Sequence, residues 1–280
     1  MILNNYMQTI LITGATGFVG KQVIKVLSKS KVNIVPVVRS TKENIFEGIT
    51  NIKRVIHSPN IFQEDENWWR NQCNGIDTII HIAWYAEPTK YLQSAKNIDC
   101  LMGSLNLAKG AVKAGVRRFV GIGTCFEYDL SKGKLSINTA LKPSTIYAST
   151  KAALYTTLLH WLPKKMIDFS WCRLFYLYGE SEDERRLVPY VHRQLSRGEE
   201  VELTSGKQIR DYLDVSEAGR MIAEIALSDH QGPINICSGL PISVKELVED
   251  IADQYNRRDL LRFGVRSENL VDPSEVVGIK

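Results

Sequence analysis

Two side chains that can exchange protons stand four residues apart in the segment YASTK: Tyr147 and Lys151. The surrounding sequence predicts a helix, and four residues make about one helical turn, so both side chains are expected on one face. An ammonium beside a phenol favours the tyrosinate, so we expect Lys151 to lower the pKa of Tyr147 from its ordinary value of about 10. Tyr147 could then donate or accept a proton near neutral pH; a surface Tyr/Lys pair is the alternative.

A second chemical signal is the glycine loop in ILITGATGFVG, where Gly14, Gly17 and Gly20 follow a buried apolar run and open a helix. A phosphate must approach the backbone closely there, and the helix N-terminus offers free N–H groups and a positive dipole end. We expect Gly20 to let the helix lie close to the sheet. The spacing is G-x-x-G-x-x-G, not the archetypal G-x-G-x-x-G, and a plain strand–helix turn is the alternative.

The choice of dinucleotide depends on the end of the second apolar run, NIVPVV. An NAD site usually places an acidic residue there, where it binds the ribose 2′-hydroxyl. This run ends instead in Arg39 and Ser40. A guanidinium at this point would pair with a 2′-phosphate and stack on adenine. The sequence favours NADP(H) and leaves NAD(H) open; Arg39 as a solvated loop residue is the alternative.

The elements that must position these residues alternate between apolar runs and helical-length segments, which predicts an α/β protein with a Rossmann-type, doubly wound parallel sheet. The predicted strands are Thr9–Thr13, Asn33–Val38, Thr78–Ala83, Phe119–Gly123, Ser170–Tyr176 and Pro233–Cys237. The predicted helices are Gly20–Ser30, Ile98–Ala114 and Tyr147–Leu162.

The pattern changes near Tyr178, after which charged residues are denser and apolar runs shorter. We predict a dinucleotide-binding domain over residues 1–177, with residues 208–238 returning to it. A smaller, interleaved substrate lobe is expected over 178–207 and 239–280. The length of 280 residues, 44% of them hydrophobic, is enough for one large core and a small lobe.

Composition excludes several classes of protein. The net charge is +4 and the basic residues are scattered, which argues against nucleic acid as a partner. The five cysteines form no close pair of the kind that binds zinc, so no metal is predicted. No apolar run approaches the roughly 20 residues that span a bilayer, and no signal peptide is visible. We expect a cytoplasmic protein without a membrane partner.

Several ordered motifs together resemble one family. They are TGATGFVG, DTIIHIA, GSLNLAKGA, FVGIGT, YASTK, RLFYLYG and QIRDYLDV. They are similar to the extended short-chain dehydrogenase/reductases, the NAD-dependent epimerase/dehydratase family, whose members include nucleotide-sugar epimerases, dehydratases and reductases. The resemblance covers nearly the whole chain, and its motifs are closest to those of the nucleotide-sugar 4-keto reductases.

The resemblance implies a catalytic role for three residues. Thr124 aligns with the family's catalytic Ser/Thr, whose hydroxyl hydrogen-bonds the reacting oxygen. Tyr147 aligns with the general acid/base, and Lys151 with the lysine that binds the nicotinamide ribose and tunes the tyrosine. The implied cofactor-binding residues are Gly14, Thr16, Gly17, Phe18 and Val19 at the pyrophosphate, Arg39 and Ser40 at the adenosine, and Ile82, Ala83, Tyr147 and Lys151 along the cleft.

The substrate site is placed by the same resemblance. Arg210 aligns with an arginine that contacts the diphosphate of a nucleotide sugar, a task that suits its planar fork of donors; a salt bridge to Asp211 or Asp214 is the alternative. Trp84 and Tyr85 follow the predicted strand Thr78–Ala83 at its carboxyl end, where ligands bind, so we place them in the substrate cleft or, alternatively, against the second lobe. Cys125 and Phe126 complete the predicted substrate site.

The residues after Thr124 distinguish between reactions. Sugar 4,6-dehydratases carry an Asp–Glu pair after this threonine, whereas this chain has Cys125 and Phe126, which cannot act as that acid–base pair. Glu127 is displaced by one position and could not simply replace it, although a substrate contact stays open. The sequence therefore favours a reductase, with the NADPH-dependent reduction of a nucleotide-activated 4-keto-6-deoxy sugar for surface polysaccharides as the leading hypothesis.

Three alternatives remain at this point. One is an NAD-dependent nucleotide-sugar epimerase, and another is a reductase of a non-sugar carbonyl. The third, from a different class, is a non-catalytic NADP-binding regulator, although such proteins usually break the Tyr/Lys pair. The helices 98–114 and 147–162 match those that form a four-helix interface in relatives, so a homodimer is expected.

Overall fold

A large parallel sheet forms the centre of the computed structural model, which describes residues 6–39, 46–269 and 272–280. Strands are numbered along the chain, and those of this sheet are β1 (Thr9–Thr13), β2 (Asn33–Val38), β3 (Ile56–His57), β4 (Thr78–His81), β5 (Arg118–Thr124), β7 (Asp168–Leu174) and β11 (Gly232–Ile236). Their spatial order is β11-β7-β5-β4-β1-β2-β3, and every pairing is parallel.

Helices cover both faces of this sheet. They are α1 (Phe18–Leu27), α2 (Glu66–Gln72), α3 (Lys96–Ala114), α4 (Ile146–Trp161) and α6 (Val215–Leu227). The helices α2, α3 and α4 share one core with the sheet, whereas α1 and α6 share the other. Strands buried on both faces read as continuous apolar runs, which is why the sequence revealed them. The predicted Rossmann-type, doubly wound sheet is confirmed.

The smaller lobe contains a second sheet and its own core. Its strands are β6 (Lys134–Leu135), β8 (Tyr176–Tyr178), β10 (Ile209–Asp214), β12 (Pro241–Ser243) and β14 (Glu275–Gly278), in the order β12-β10-β14-β6 with β8 beside β10. The strands β9 (Val201–Glu202) and β13 (Leu261–Arg262) form a separate pair. The helices α5 (Leu187–Arg197) and α7 (Val244–Tyr255) pack together over an apolar cluster.

The interleaving differs in detail from the sequence-based boundaries. Within the segment 208–238, α6 and β11 join the large domain as expected, but β10 belongs to the small sheet. The short strand β6, from the predicted dinucleotide-binding range, also joins the small sheet. The predicted strand Ser170–Tyr176 is divided, because β7 ends at Leu174 and β8 begins at Tyr176. Among the described residues, no helix is both long and apolar enough to cross a membrane.

One histidine lies fully inside the large domain. His81, the last residue of β4, receives or donates hydrogen bonds on both ring nitrogens: Nδ1 is 2.8 Å from Thr13 Oγ1, and Nε2 is 2.7 Å from Ser104 Oγ. Burial lowers the pKa of His81 from 6.5 to about 3, with a smaller contribution from the charge of Lys151. The imidazole is therefore neutral in the folded protein at every pH above about 3.

This burial predicts a pH-dependent stability. Below pH 6.5 the unfolded chain protonates His81 but the folded chain does not, so protonation stabilises the unfolded state. Between pH 6.5 and pH 5 the free energy of unfolding should fall by about 2 kcal/mol through this residue. Urea unfolding at both pH values, compared with His81→Gln, measures the contribution. A His160→Gln variant, at an exposed position on α4, is the control and should keep the full pH dependence.

Candidate active site

A cavity of about 480 Å³ opens where β5 and β7 end, between the large sheet and the small lobe. Six of the residues predicted for the site line it together, namely Phe18, Val19, Thr124, Cys125, Phe126 and Tyr147. The carboxyl edge of a parallel sheet is where such folds bind ligands. The location of the cavity therefore agrees with the placement expected from the motifs.

The glycine loop fits closely against the end of β4. Gly14 has a φ of +71°, and a Cβ on it would lie 2.7 Å from the backbone nitrogen of Ala83. A Cβ on Gly20 would lie only 2.1 Å from the carbonyl oxygen of Gly14. The expectation that Gly20 brings the helix close to the sheet is thus corrected, because Gly20 packs against the loop itself.

The loop and the start of α1 form a cradle that suits a pyrophosphate. Gly17 precedes the helix in extended conformation and is exposed, and no side chain caps the N–H groups of the first turn, which leaves them available to a ligand. Thr16 beside it is half-buried. The backbone nitrogen of Ala83 donates to Thr13 Oγ1 at 3.2 Å, which ties β4 to β1 behind the cradle. Ile82 donates to the Thr13 carbonyl at 3.3 Å.

The residues expected at the adenosine lie at the end of β2. Arg39 follows this strand directly and is exposed. Ser40 lies outside the described residues. The exposed guanidinium stands on the same edge of the sheet as the glycine loop, since β1 and β2 are parallel neighbours. The donor set and the space left by the glycines fit a dinucleotide.

The two hydroxyl groups of the predicted constellation meet in the cavity. The Tyr147 phenol lies close enough to the Thr124 hydroxyl to interact with it, and the ring of Tyr91 meets that of Tyr147 edge-on at 4.9 Å. Burial, with Tyr91 nearby, raises the pKa of Tyr147 above its ordinary value. The expectation that the pKa of Tyr147 is lowered is therefore wrong for this structure, because burial of the phenol dominates.

Lys151 lies one turn along α4 and is buried, but its ammonium points elsewhere. Its Nζ donates to the carbonyl oxygen of Ile122 at 2.6 Å and lies 3.8 Å from the centre of the Trp84 ring. Burial lowers the pKa of Lys151 to about 7, against the opposing charge of Glu127. Because this amine carries only part of its charge near pH 7, it exerts less electrostatic pull on a neighbouring phenol, which is a second reason why the expected shift is not found.

Trp84 and Tyr85 stand beside the cavity and are not part of its lining. The indole of Trp84 donates to Asn97 at 2.8 Å and packs on the core that α3 and α4 share, rather than on the second lobe. The Tyr85 hydroxyl donates to Glu87 at 3.2 Å. Trp84 thus reaches the candidate site only through its contact with Lys151.

Arg210 is placed differently from both sequence-based expectations. It is buried on β10 behind Tyr176, and its guanidinium lies 2.7 Å from Asp272. The Arg210 guanidinium pairs with neither Asp211 nor Asp214. Asp211 instead accepts hydrogen bonds from the Ser238–Gly239 turn, and Asp214 caps α6. Arg210 does not line the cavity.

Sequence reasoning missed several residues that line the cavity, namely Tyr91, Tyr176, Glu182, Arg186 and Tyr212. Tyr176 and Tyr212 are partners in the β8–β10 pairing, and both lie in motifs that the sequence had highlighted. The Arg186 guanidinium lies 5.6 Å from the ring centre of Tyr91. Burial raises the pKa of Glu182 to about 7. A local signal existed only for Tyr176 and Tyr212, which stand in the motifs RLFYLYG and QIRDYLDV.

Glu127 turns away from the cavity, which answers the question that the sequence left open. The carboxylate is fully buried and accepts a hydrogen bond from the Thr124 backbone nitrogen at 2.9 Å. It also accepts from Trp171 Nε1 at 3.1 Å and from Arg173 Nε at 2.7 Å. Glu127 is therefore not in contact with the space that a substrate would occupy.

The doubly wound sheet, its glycine loop and the Thr, Tyr and Lys side chains at its carboxyl edge define a dinucleotide-binding enzyme of the extended short-chain dehydrogenase/reductase class. A sequence profile of the NAD dependent epimerase/dehydratase family matches residues 10–237, and the chain belongs to that family.

Individual relatives have low sequence identity to this chain, but their similarity extends over most of its length. The chain is 22% identical to dTDP-6-deoxy-L-talose 4-dehydrogenase (NAD(+)) from Aggregatibacter actinomycetemcomitans, over 97% of this chain and 99% of the relative. It is 23% identical to CDP-abequose synthase from Salmonella typhimurium, over 85% and 78%. Among solved structures, UDP-N-acetylglucosamine 4-epimerase from Methanobrevibacter ruminantium superposes with a TM-score of 0.82 at 20% identity, over 98% and 89%.

The tight fit of the glycine loop predicts that Gly20→Ala weakens dinucleotide binding. Overpacking of this kind costs about 1–3 kcal/mol, or about 5- to 160-fold in affinity if the loop must shift. Titration of the cofactor's fluorescence measures the change. Gly75→Ala is the control: the positive φ of Gly75 strains an alanine, but a Cβ there meets open space, so any loss of stability arises away from the loop. Equal binding by Gly20→Ala and the unaltered chain would show that the loop does not form the cradle.

Proposed function

We propose that this chain catalyses NADPH-dependent reduction of the ketone of a nucleotide-activated 4-keto-6-deoxy sugar. The observation that carries the proposal is the pair of hydroxyl groups, on Thr124 and Tyr147, which meet on the wall of a cavity beside the dinucleotide cradle. The talose relative, named as a 4-dehydrogenase of a 6-deoxy sugar nucleotide, supports redox chemistry at carbon 4.

The raised pKa of Tyr147 suits reduction. A phenol that is protonated at neutral pH is ready to donate its proton to the alkoxide that develops as the ketone is reduced. The Thr124 hydroxyl stabilises the same oxygen by a second hydrogen bond. Bound NADPH supplies the hydride. Lys151 would hold the cofactor's ribose with the donors of its ammonium that the Ile122 carbonyl does not use.

The cavity wall favours redox chemistry over dehydration. Cys125 and Phe126 occupy the two positions after Thr124 and line the cavity, so neither an acid nor a base stands where dehydration would need them. Burial raises the pKa of Cys125, which keeps its thiol neutral. Aromatic side chains such as Phe126 and Tyr176 provide an apolar surface for the C6 methyl group of a 6-deoxy sugar.

Two arginines are available for the diphosphate of the nucleotide. Arg186 lines the cavity and is exposed, so it can bind phosphate oxygens without losing a buried partner. Arg210 would first have to release Asp272. We therefore favour Arg186 as the diphosphate ligand and retain Arg210 as a residue that could join it after rearrangement.

Oligomeric state and compartment are part of the same proposal. The helices α3 and α4 pack against each other on one face of the large sheet, and Ile98 and Met102 of α3 are exposed. An apolar stripe at this place would be covered in a homodimer. The five cysteines are all unpaired and buried, which supports a reducing compartment such as the cytoplasm.

The proposed acid predicts the effect of Tyr147→Phe. Losing a general acid should lower kcat by about 10²- to 10⁴-fold while NADPH binding is retained. NADPH oxidation with dTDP-4-keto-6-deoxyglucose, and with the CDP, GDP and UDP analogues, measures turnover. Tyr255→Phe is the control, because the hydroxyl of Tyr255 contacts His192 on α5, in the core of the lobe.

Other outcomes separate the rival functions. Binding of NADPH without turnover of any member of the panel would favour the regulator. Tightly held NAD, with interconversion of two sugar nucleotides and no net oxidation of cofactor, would favour the epimerase. NAD(H) as the working dinucleotide stays a candidate, because the name of the talose relative specifies NAD(+).

The assignment of NADPH depends on Arg39. Removing a guanidinium that binds the 2′-phosphate should cost about 1.5–3 kcal/mol, or about 10- to 100-fold in the dissociation constant for NADPH. Arg39→Ala should leave the dissociation constant for NADH within about twofold. Equal losses for the two cofactors would contradict the assignment and support NAD(H).

A further inference from the structure

Beneath the cavity lies a buried ion pair between Glu127 and Arg173, whose side chains are 0% and 1% exposed. One carboxylate oxygen accepts from the Thr124 N–H at 2.9 Å, and the other accepts from Arg173 Nε at 2.7 Å. The indole N–H of Trp171 lies 3.1 Å from both oxygens. Three donors from three positions of the fold thus converge on one side chain.

Hydrogen bonds and aromatic rings around Arg173 hold the ion pair in place. Arg173 donates to the Tyr128 hydroxyl at 3.0 Å, which in turn donates to Asn235 on β11 at 2.8 Å. The rings of Tyr128 and Tyr155 lie 4.6 Å and 4.4 Å from the guanidinium carbon. The carboxylate cannot move without breaking contacts to two strands of the sheet.

The space for the carboxylate is made by a glycine. A Cβ on Gly123 would lie 2.4 Å from Glu127 Oε1 and 2.2 Å from Trp171 Nε1. The end of β5 therefore carries a glycine immediately before Thr124, and the missing side chain leaves the room that the carboxylate fills. A buried ion pair is weak evidence for stability, because apolar residues of similar volume often stabilise as well or better. Its contacts are a better guide to its role.

Those contacts lead directly to the candidate catalytic hydroxyl. The Glu127 carboxylate fixes the Thr124 backbone, while the Thr124 hydroxyl accepts from the Phe126 backbone nitrogen at 3.3 Å. Together these bonds close the short turn Cys125–Glu127, which forms part of the cavity wall. The same hydroxyl meets the Tyr147 phenol.

We propose that Glu127, locked by Arg173 and Trp171, is a positioning residue that sets the orientation of the Thr124 hydroxyl toward Tyr147. This inference rests on the proposed function, since it gives Glu127 a part in the same chemistry. A neutral amide cannot replace the carboxylate, because Gln has one acceptor oxygen and would turn its NH₂ toward Thr124 or Arg173.

The test is a double-mutant cycle between Glu127→Gln and Thr124→Val, with dTDP-4-keto-6-deoxyglucose and NADPH as the probe. Misplacing a reacting group by about 1 Å can cost about 10²-fold, so Glu127→Gln should lower kcat by about 10- to 100-fold. The KM for the sugar nucleotide should change less than about threefold. In the Thr124→Val background, Glu127→Gln should lower kcat no further. Additive losses in the two variants would overturn the proposal.

A matched control separates positioning from loss of stability. Asp77 is also a buried carboxylate that accepts from a backbone nitrogen, that of Thr9 at 2.8 Å, and from an arginine, Arg117 at 2.6 Å. It lies at the opposite, amino-terminal edge of the large sheet. Asp77→Asn should lower the melting temperature and leave kcat within about twofold at a temperature where the protein is folded.

A second variant tests the positioning role of Glu127 even if Glu127→Gln does not fold. Glu127→Met with Arg173→Met removes both charges together, which leaves no unpaired charge in the core. This variant should melt close to the unaltered protein yet keep the low kcat, because nothing accepts from the Thr124 N–H. Normal kcat in this variant would overturn the proposal.

A measurement that needs no turnover tests the positioning role of Glu127 independently of the proposed function. Hydrogen exchange of the Thr124 amide, followed by NMR, should become at least about tenfold faster in Glu127→Gln and stay unchanged in Asp77→Asn. Unchanged exchange in Glu127→Gln would overturn the positioning role. A further outcome is that the unaltered protein turns over none of the sugar nucleotides while the Thr124 amide still exchanges faster in Glu127→Gln. That result would contradict the proposed function but support the hydrogen bond from Thr124 to Glu127.

Discussion

The close approach of backbone to backbone at the ends of β1, β4 and β5 is the constraint on which the site depends. Gly14 lies so near Ala83 that no side chain fits between them, and Gly123 leaves room for a carboxylate behind Thr124. Because these strands are parallel neighbours, their ends lie on one edge of the sheet. The cradle for a dinucleotide and the hydroxyl pair are therefore held at a fixed separation by the sheet itself.

Burial determines the protonation states of the groups around this edge. His81 is neutral, the pKa of Lys151 falls to about 7, and Tyr147 holds its proton more tightly than a free phenol. In each case removal from water is the largest cause, and charges nearby modify it. Glu127 and Arg173 are in direct contact, and the charge of Arg173 opposes the rise in the pKa of Glu127 that burial causes. The site thus combines acid–base groups whose charge is suppressed by burial with a buried ion pair beneath them.

The sequence predicted the large sheet and much of the site because these depend on local signals. Apolar runs marked the buried strands, the glycine spacing marked the cradle, and the spacing of Tyr147 and Lys151 placed both on α4. Contacts between distant segments were not predictable. The partner of Arg210 is Asp272, which no local pattern links to it. The direction of Lys151 depends on Trp84 and the Ile122 carbonyl, and that of Glu127 on Arg173.

The order of strands in the small sheet has a consequence for synthesis on the ribosome. The strand β14, at residues 275–278, lies between β10 and β6, so β6 has no partner in that sheet until the last of these strands has been made. The large sheet, by contrast, is complete once residue 236 has emerged. The nascent chain can therefore collapse its dinucleotide-binding half first, while the sheet of the small lobe is completed last, by pairings of high contact order.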